Sequence, residues 1–223
     1  MNFQRIALPR LLPFIVYILF LVLNDTLATA LTWVHLDAKW AYVLRILAVI
    51  GLVAYFWKDY IELKVSPKLS DFFYAMVAGG LVFMIWIFPY PAWLGASDSI
   101  SFNPLVDDNK IASYAWMSIR LLGAAMIVPI MEELFWRSFM MRWFDKDDFM
   151  SVAPERVSGY AFLGSSLLFA SEHHLWLAGL FAGFVYAELY KNYKNLWVPV
   201  FAHAVTNGLL GIWVITTQNW HYW

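Results

Sequence analysis

The residues most able to do chemistry lie in three short segments of the second half of the chain. In Met131-Glu132-Glu133-Leu134-Phe135-Trp136-Arg137, Glu133 and Arg137 are four apart, share a helix face and can pair. Glu132 points about 100° away. An arginine that holds one carboxylate ionised and rigid leaves the other free to act as a base. A salt bridge that only fixes helix packing, or a helix that ends early and exposes all three groups, fits the same residues. The second segment is Phe169-Ala170-Ser171-Glu172-His173-His174; its spacing does not say which histidine points inward. In the third, Phe201-Ala202-His203-Ala204-Val205-Thr206-Asn207, His203 and Asn207 again face the same way. Two neutral donors on one face suit an oxyanion site, where hydrogen bonds stabilise charge developing on a carbonyl oxygen. Taken alone, that pair is better explained by an interhelical hydrogen bond, which contributes only about 0.6 kcal/mol. Three such clusters in consecutive apolar segments argue against packing alone.

The elements that must position these groups follow from composition. The chain has 223 residues, is 62% hydrophobic and only 14% charged, against about a quarter charged for a water-soluble domain. Its apolar residues come in long blocks, without the ten-residue alternation of barrel strands. In hydrocarbon only helices and closed barrels satisfy their own backbone. The fold class expected is therefore all-α: a polytopic transmembrane helix bundle in a lipid bilayer, one domain over 1–223. Seven spans are expected, near Leu11–Leu31, Trp40–Trp57, Phe72–Phe88, Ala112–Met141, Ser158–Ser171, Leu175–Tyr190 and Val198–Thr217. The first three are peripheral, and residues 112–217 form a four-helix core that carries the polar clusters. The longest connections are Pro89–Lys110 and Phe144–Val157. With Arg5 and Arg10 at its start and Ala28-Thr29-Ala30 after an apolar stretch, the N-terminus resembles a signal peptide. The stretch is about 20 residues, long enough to span, so it is read as an uncleaved first helix.

Most Lys and Arg of the short loops, from Arg5 and Arg10 to Lys191 and Lys194, fall on one side, against Lys39 and Lys110 on the other. The positive-inside bias then gives an N-in, C-out orientation. The net charge of −1 suggests no nucleic-acid partner. The absence of cysteine removes disulfides, thiolate metal sites and cysteine nucleophiles. Ionisable groups inside a span carry an insertion penalty of roughly 2.5–3.5 kcal/mol each and by default mark function. Counted at about 1.5 Å per residue, Glu133 and Asn207 both lie roughly 15 Å deep and His173 nearer 22 Å. The mismatch shrinks if the hairpin of the fifth and sixth spans turns at mid-depth. Asp25 and Arg45 are expected to snorkel to an interface, and Arg120 to reach headgroups or meet a substrate carboxylate. Gly79-Gly80, and Gly179 with Gly183, are expected to let helices approach closely.

The ordered set Glu132-Glu133-x-x-x-Arg137, Phe169-x-x-x-His173 and His203-x-x-x-Asn207 resembles the CPBP family, which groups CAAX prenyl endoproteases with bacteriocin-processing and Abi proteins. The flanking phrases Val128-Pro129-Ile130-Met131 and Asn195-Leu196-Trp197 resemble its narrower, bacterial, exosortase-associated branch. The resemblance implies a glutamate-type intramembrane endopeptidase, a hydrolase of peptide bonds in a membrane protein or peptide substrate. It also implies no cofactor, a multi-pass place in the bacterial inner membrane, and an exosortase sorting system as partner. By resemblance Glu132 is the general base, His173 helps hold the attacking water, His203 and Asn207 form the oxyanion hole, and Glu133 and Arg137 support the site as an ion pair. His174 is secondary. The chain is shorter than the larger members of that family, with one span fewer. Two other readings stand beside this one. A metal-dependent membrane peptidase would use the Glu and His as ligands, although no His-Glu-x-x-His is present. A non-catalytic immunity or transport component would use them structurally.

Overall fold

The computed structural model describes residues 3–35, 39–91 and 110–222, and every element among them is helical. Helix α1 (Phe3–Val22) is followed after Leu23 by α2 (Asn24–Trp33), then by α3 (Trp40–Tyr55) and α4 (Leu69–Trp86). A continuous helix α5 runs over 110–143, interrupted by π-helical turns at Gly123–Ile127 and Leu134–Met140. A hairpin of α6 (Gly159–Ser171) and α7 (Trp176–Tyr193) precedes the last long helix, α8 (Trp197–Thr217). Most of the expected connection Pro89–Lys110 lies outside the described residues.

Phe3–Val22, Leu69–Trp86, Ser113–Trp143 and Trp197–Thr217 are long and apolar enough to cross a membrane; Trp40–Tyr55 and Gly159–Ser171 are apolar but shorter. Large apolar side chains such as Ile15, Leu19, Leu69, Leu81, Leu167 and Ile212 are exposed around the bundle. Surfaces of that kind mark a membrane or partner contact rather than water. The first helix begins eight residues earlier than Leu11 and breaks near the middle of the expected first span.

The second half of α5 runs through the interior of the bundle. Residues 131–139 are buried without interruption, so Glu132, Glu133, Arg137 and Ser138 are carried into the interior among Met131, Leu134, Phe135, Trp136 and Phe139. Helices α4 and α8 approach closely at Gly79. A Cβ there would meet the Ala202 carbonyl oxygen and lie 2.9 Å from Val205 Cβ, whereas one on Gly80 would meet nothing within 4 Å. Thr206 Oγ1 donates to Gly79 O at 2.9 Å, pinning α8 one turn beyond His203. Gly79→Ala is therefore expected to cost about 1–3 kcal/mol through overpacking. Gly80→Ala should be neutral or up to about 1 kcal/mol stabilising through helix propensity. Thermal unfolding of the two variants in detergent micelles checks the contrast. Gly179 and Gly183 do the same work in the hairpin, against His173 and Ser166.

The start of α1 is tied to the rest by buried polar contacts. Pro13 lacks the N–H that would bond the Pro9 carbonyl, and Tyr60 Oη donates to that orphan oxygen at 2.8 Å. Arg10, expected in a loop, is instead buried. It bonds Glu62 through Nε at 2.7 Å and Nη2 at 2.6 Å, so the pair is bidentate. Ser138 of α5 donates to the same Glu62 carboxylate, and Arg142 Nη2 donates to Ser138 Oγ at 2.7 Å. Burial pushes the Glu62 pKa up, but the hydrogen bonds and charge of Arg10, helped by Ser138, outweigh it and leave it below the ordinary value.

Candidate active site

The second π turn of α5 follows directly on Glu133, and π turns recur at functional sites. Glu133 and Glu132 are both buried. Arg137 Nε lies 3.1 Å from Glu133 Oε2, the ion pair expected from their spacing. The same guanidinium sits 4.4 Å above the Phe169 ring and 5.4 Å from that of Tyr186, and its Nη2 donates to Gly183 O at 3.4 Å. Arg137 thus fastens the carboxylate helix to both arms of the hairpin.

His203 of α8 reaches between the two glutamates. Its Nδ1 is 2.9 Å from Glu133 Oε1 and its Nε2 is 3.9 Å from Glu132 Oε2. Glu133, paired with Arg137, is an acceptor, so the proton of that short contact sits on Nδ1. The imidazole stacks on Tyr186 with ring centroids 4.9 Å apart and an interplanar angle of 19°. The phenol donates to Thr206 Oγ1 at 2.7 Å, which gives the buried tyrosine its polar partner.

Asn207 is positioned by a defect in α5. In the first π turn the Val128 N–H bonds Gly123 O. The next carbonyl, Ala124 O, would find its i+5 donor at Pro129, which has no N–H. Asn207 Nδ2 donates to that oxygen at 2.9 Å, leaving one amide hydrogen for another acceptor. In the hairpin, His173 Nδ1 lies 2.8 Å from Phe169 O. A carbonyl only accepts, so Nδ1 carries the proton and Nε2 presents a lone pair. Trp86 meets this ring edge-on at 5.2 Å. His174 is exposed.

Glu132, His173, His203 and Asn207 all line one cavity of about 210 Å³. Glu132 Oε2 is buried there without a hydrogen-bond partner. The depth mismatch counted from sequence does not keep His173 away: it follows the end of α6 in the hairpin turn and lines the same cavity as Glu132, His203 and Asn207. Sequence reasoning missed part of the wall. Tyr17, Tyr42 and Arg45 also line it, and Arg45 is buried rather than snorkelling. Their tyrosines stand out in apolar helices, each a polar tip that must find a partner. Glu172 lies close enough to act electrostatically on Glu132. A larger, shallower hollow of about 580 Å³ lies between α3 and α5 against Ile50, Ala54 and Ile130. Lys58 is its only charged neighbour, so it offers no group for hydrolysis. Among the described residues no three His, Asp or Glu side chains converge as a metal-holding group.

Residues 114–209 match the family described as "Type II CAAX prenyl endopeptidase Rce1-like". The "Putative membrane peptidase YdiL" of Bacillus subtilis (strain 168) is 26% identical over 155 residues, which are 67% of this chain and 56% of the relative. Both similarities support the CPBP family. No solved structure matches the chain significantly. The chain spans only a little over half of the curated relative. The segment matched to the Rce1-like family contains Glu132, Glu133, Arg137, His173, His203 and Asn207, so the cavity and the family similarity coincide.

Proposed function

We propose that the chain is an intramembrane endopeptidase of CAAX type, in which Glu132 and His173 activate a water and His203 and Asn207 receive the oxyanion. The observation that carries this reading is the shared cavity: these four side chains line one space, with a carboxylate oxygen of Glu132 left unbonded. A water there donates its hydrogens to Glu132 and to the lone pair of His173 Nε2. Its oxygen attacks the peptide carbonyl carbon, Glu132 takes the proton, and the carbonyl oxygen becomes negative. Asn207 offers its second amide hydrogen to that oxygen. His203 has its Nδ1 hydrogen committed to Glu133, so it serves there as an imidazolium donating from Nε2, not as a neutral donor. Glu133 and Arg137 behind it hold the ring and its charge. Glu132 then returns the proton to the amide nitrogen, and the C–N bond breaks.

In this reading the bundle has seven spans, N-in and C-out, in a bacterial inner membrane, and belongs to the exosortase-associated branch. The substrate is a membrane protein or peptide linked to that sorting system. Asn207→Ala is expected to lower kcat by about 10²–10³-fold with little change in KM, as for the loss of one oxyanion donor; steady-state kinetics on a cleaved peptide measure it. The reading itself is tested by reconstituting the full chain in vesicles with a library of apolar peptides and identifying products by mass spectrometry. New termini that persist in EDTA and vanish in Glu132→Ala support it. The same cuts from Glu132→Ala, or their loss in EDTA, would turn the assignment toward a contaminant or a metallopeptidase.

A further inference from the structure

We infer that Tyr186 is a positioning residue, whose ring holds His203 as an imidazolium at the cavity wall by stacking an electron-rich face on the cation. Its part in hydrolysis rests on the endopeptidase reading; the stack and the charge it favours do not. Negative charge around the His203 ring is scarce. Nδ1 donates to Glu133 Oε1 at 2.9 Å, but Glu133 is already paired with Arg137 through Oε2 at 3.1 Å. One carboxylate therefore serves two cations whenever the ring is charged. Glu132 lies 3.9 Å from Nε2, beyond bonding distance. Among the described residues no other carboxylate is paired with the ring. From the hairpin turn His173 acts electrostatically on His203, and Glu172 on Glu132. The ionisable residues of α4, Asp71 and Tyr74, lie more than one turn before its contact at Gly79. Arg45, stacked against Tyr17 and Tyr42, and Arg120 line the same cavity and add only positive charge. A buried cation that shares its counter-ion needs a further source of stabilisation.

Tyr186 supplies it. The side chain is buried, and its ring lies 4.9 Å from the imidazole centroid at an interplanar angle of 19°. That parallel stack sets the imidazole over the negative face of the phenol, within the roughly 6 Å over which a cation is drawn to such a face. A neutral imidazole gains only dispersion and packing there, so the stack favours the charged form. Arg137 lies 5.4 Å from the same centroid, so the ring also offsets part of the repulsion between the two cations. The phenol is fixed from behind. Its hydroxyl donates to Thr206 Oγ1 at 2.7 Å, and Thr206 donates on to Gly79 O at 2.9 Å. Thr206 is three residues past His203 on α8, so histidine and anchor are carried by one stretch of helix. Hydrogen bonds linked in this way polarise one another, and a phenol that donates its proton gains electron density in the ring.

The test changes the electron density of the ring and keeps its shape. In the full chain in detergent micelles, Tyr186 is replaced by Phe and then by mono-, di- and trifluorophenylalanine, and kcat/KM on a cleaved peptide is followed against pH. Glu132 must be ionised and His203 protonated, so the profile is bell-shaped, with His203 on the alkaline limb. Tyr186→Phe should keep that limb within about 0.3 pH unit, because Tyr and Phe both offer a negative face. It should lower the thermal unfolding temperature through the lost bond to Thr206. From Phe to the trifluoro ring the alkaline limb should move stepwise to lower pH by about one unit in all, roughly a tenfold loss of activity on that limb. The acid limb and the unfolding temperature should stay as in Tyr186→Phe. NMR of isotope-labelled histidine rings reads the same charge without turnover, the His203 signal being assigned by its loss in His203→Gln. A limb and a His203 titration that stay fixed across the fluorinated series overturn the proposal. So does a limb that moves as far in Tyr186→Phe as with full fluorination, which would assign the effect to the hydroxyl. Failure of the endopeptidase reading looks different: the His203 titration follows the fluorine count but no peptide is cut. Cutting that depends on Glu132 with an immobile alkaline limb removes the part of Tyr186 and leaves the peptidase.

Discussion

Glu132→Gln is expected to lower turnover of a cleaved peptide by about 10²–10⁴-fold, the usual contribution of a general base, while leaving the folded protein as stable as before or more so. The two halves of that expectation have one cause. Glu132 Oε2 is buried without a hydrogen bond and lies 3.9 Å from His203 Nε2, beyond bonding distance. An amide of the same shape loses no hydrogen bond, gives up only that long contact to His203, and removes a buried carboxylate. Glu133→Gln makes the contrast, because it disturbs both the 3.1 Å pair with Arg137 and the 2.9 Å bond from His203. Breaking a buried ion pair from one side typically costs about 3–5 kcal/mol. Turnover measured beside thermal unfolding in micelles therefore separates the base from its support. If Glu132→Gln destabilises as much as Glu133→Gln and activity falls only in proportion to folded protein, Glu132 is a structural residue.

The second large effect is expected far from the cavity. Glu62→Gln leaves Arg10 and Arg142 buried around Ser138 with no anion between them. It should cost about 3–5 kcal/mol of unfolding free energy, read from SDS titration in mixed micelles. The pH dependence has a definite sign. The folded pKa of Glu62 is lowered from 4.5, so its contribution is fully present above about pH 4.5 and is lost as pH falls through the folded value. Wild type should lose stability in that acid window, whereas Glu62→Gln should be less stable at neutrality and flatter below it. Equal slopes in the two proteins would mean that Glu62 is not the group that titrates.

Local spacing made much of the catalytic wall legible. Glu133 with Arg137, and His203 with Asn207, are four apart, and a helix places such pairs on one face whatever surrounds it. The membrane class followed from long apolar blocks, because hydrocarbon leaves the backbone few choices. What spacing could not give was any contact closed over distance along the chain. Arg10 reads as a loop cation until Glu62, 52 residues later, is folded against it. Arg45 reads as an interfacial arginine until Tyr17 and Tyr42 stack on it. The acceptor that orients Asn207 depends on a π turn coinciding with Pro129. Proline was visible, but the extra residue in the turn is a packing outcome that no local propensity encodes. The break after Val22 also lacked a proline or glycine to announce it.

If Glu132 and His173 act on one water as a single unit, a double-mutant cycle on kcat exposes it. Glu132→Gln, His173→Ala and the double variant are compared with wild type on one cleaved peptide, each checked for folding by thermal unfolding. Groups that work as a unit are strongly non-additive, so the double variant should be no slower than the slower single variant, within about threefold. Losses that multiply across the double variant, or a His173→Ala enzyme with wild-type turnover, would contradict the shared site.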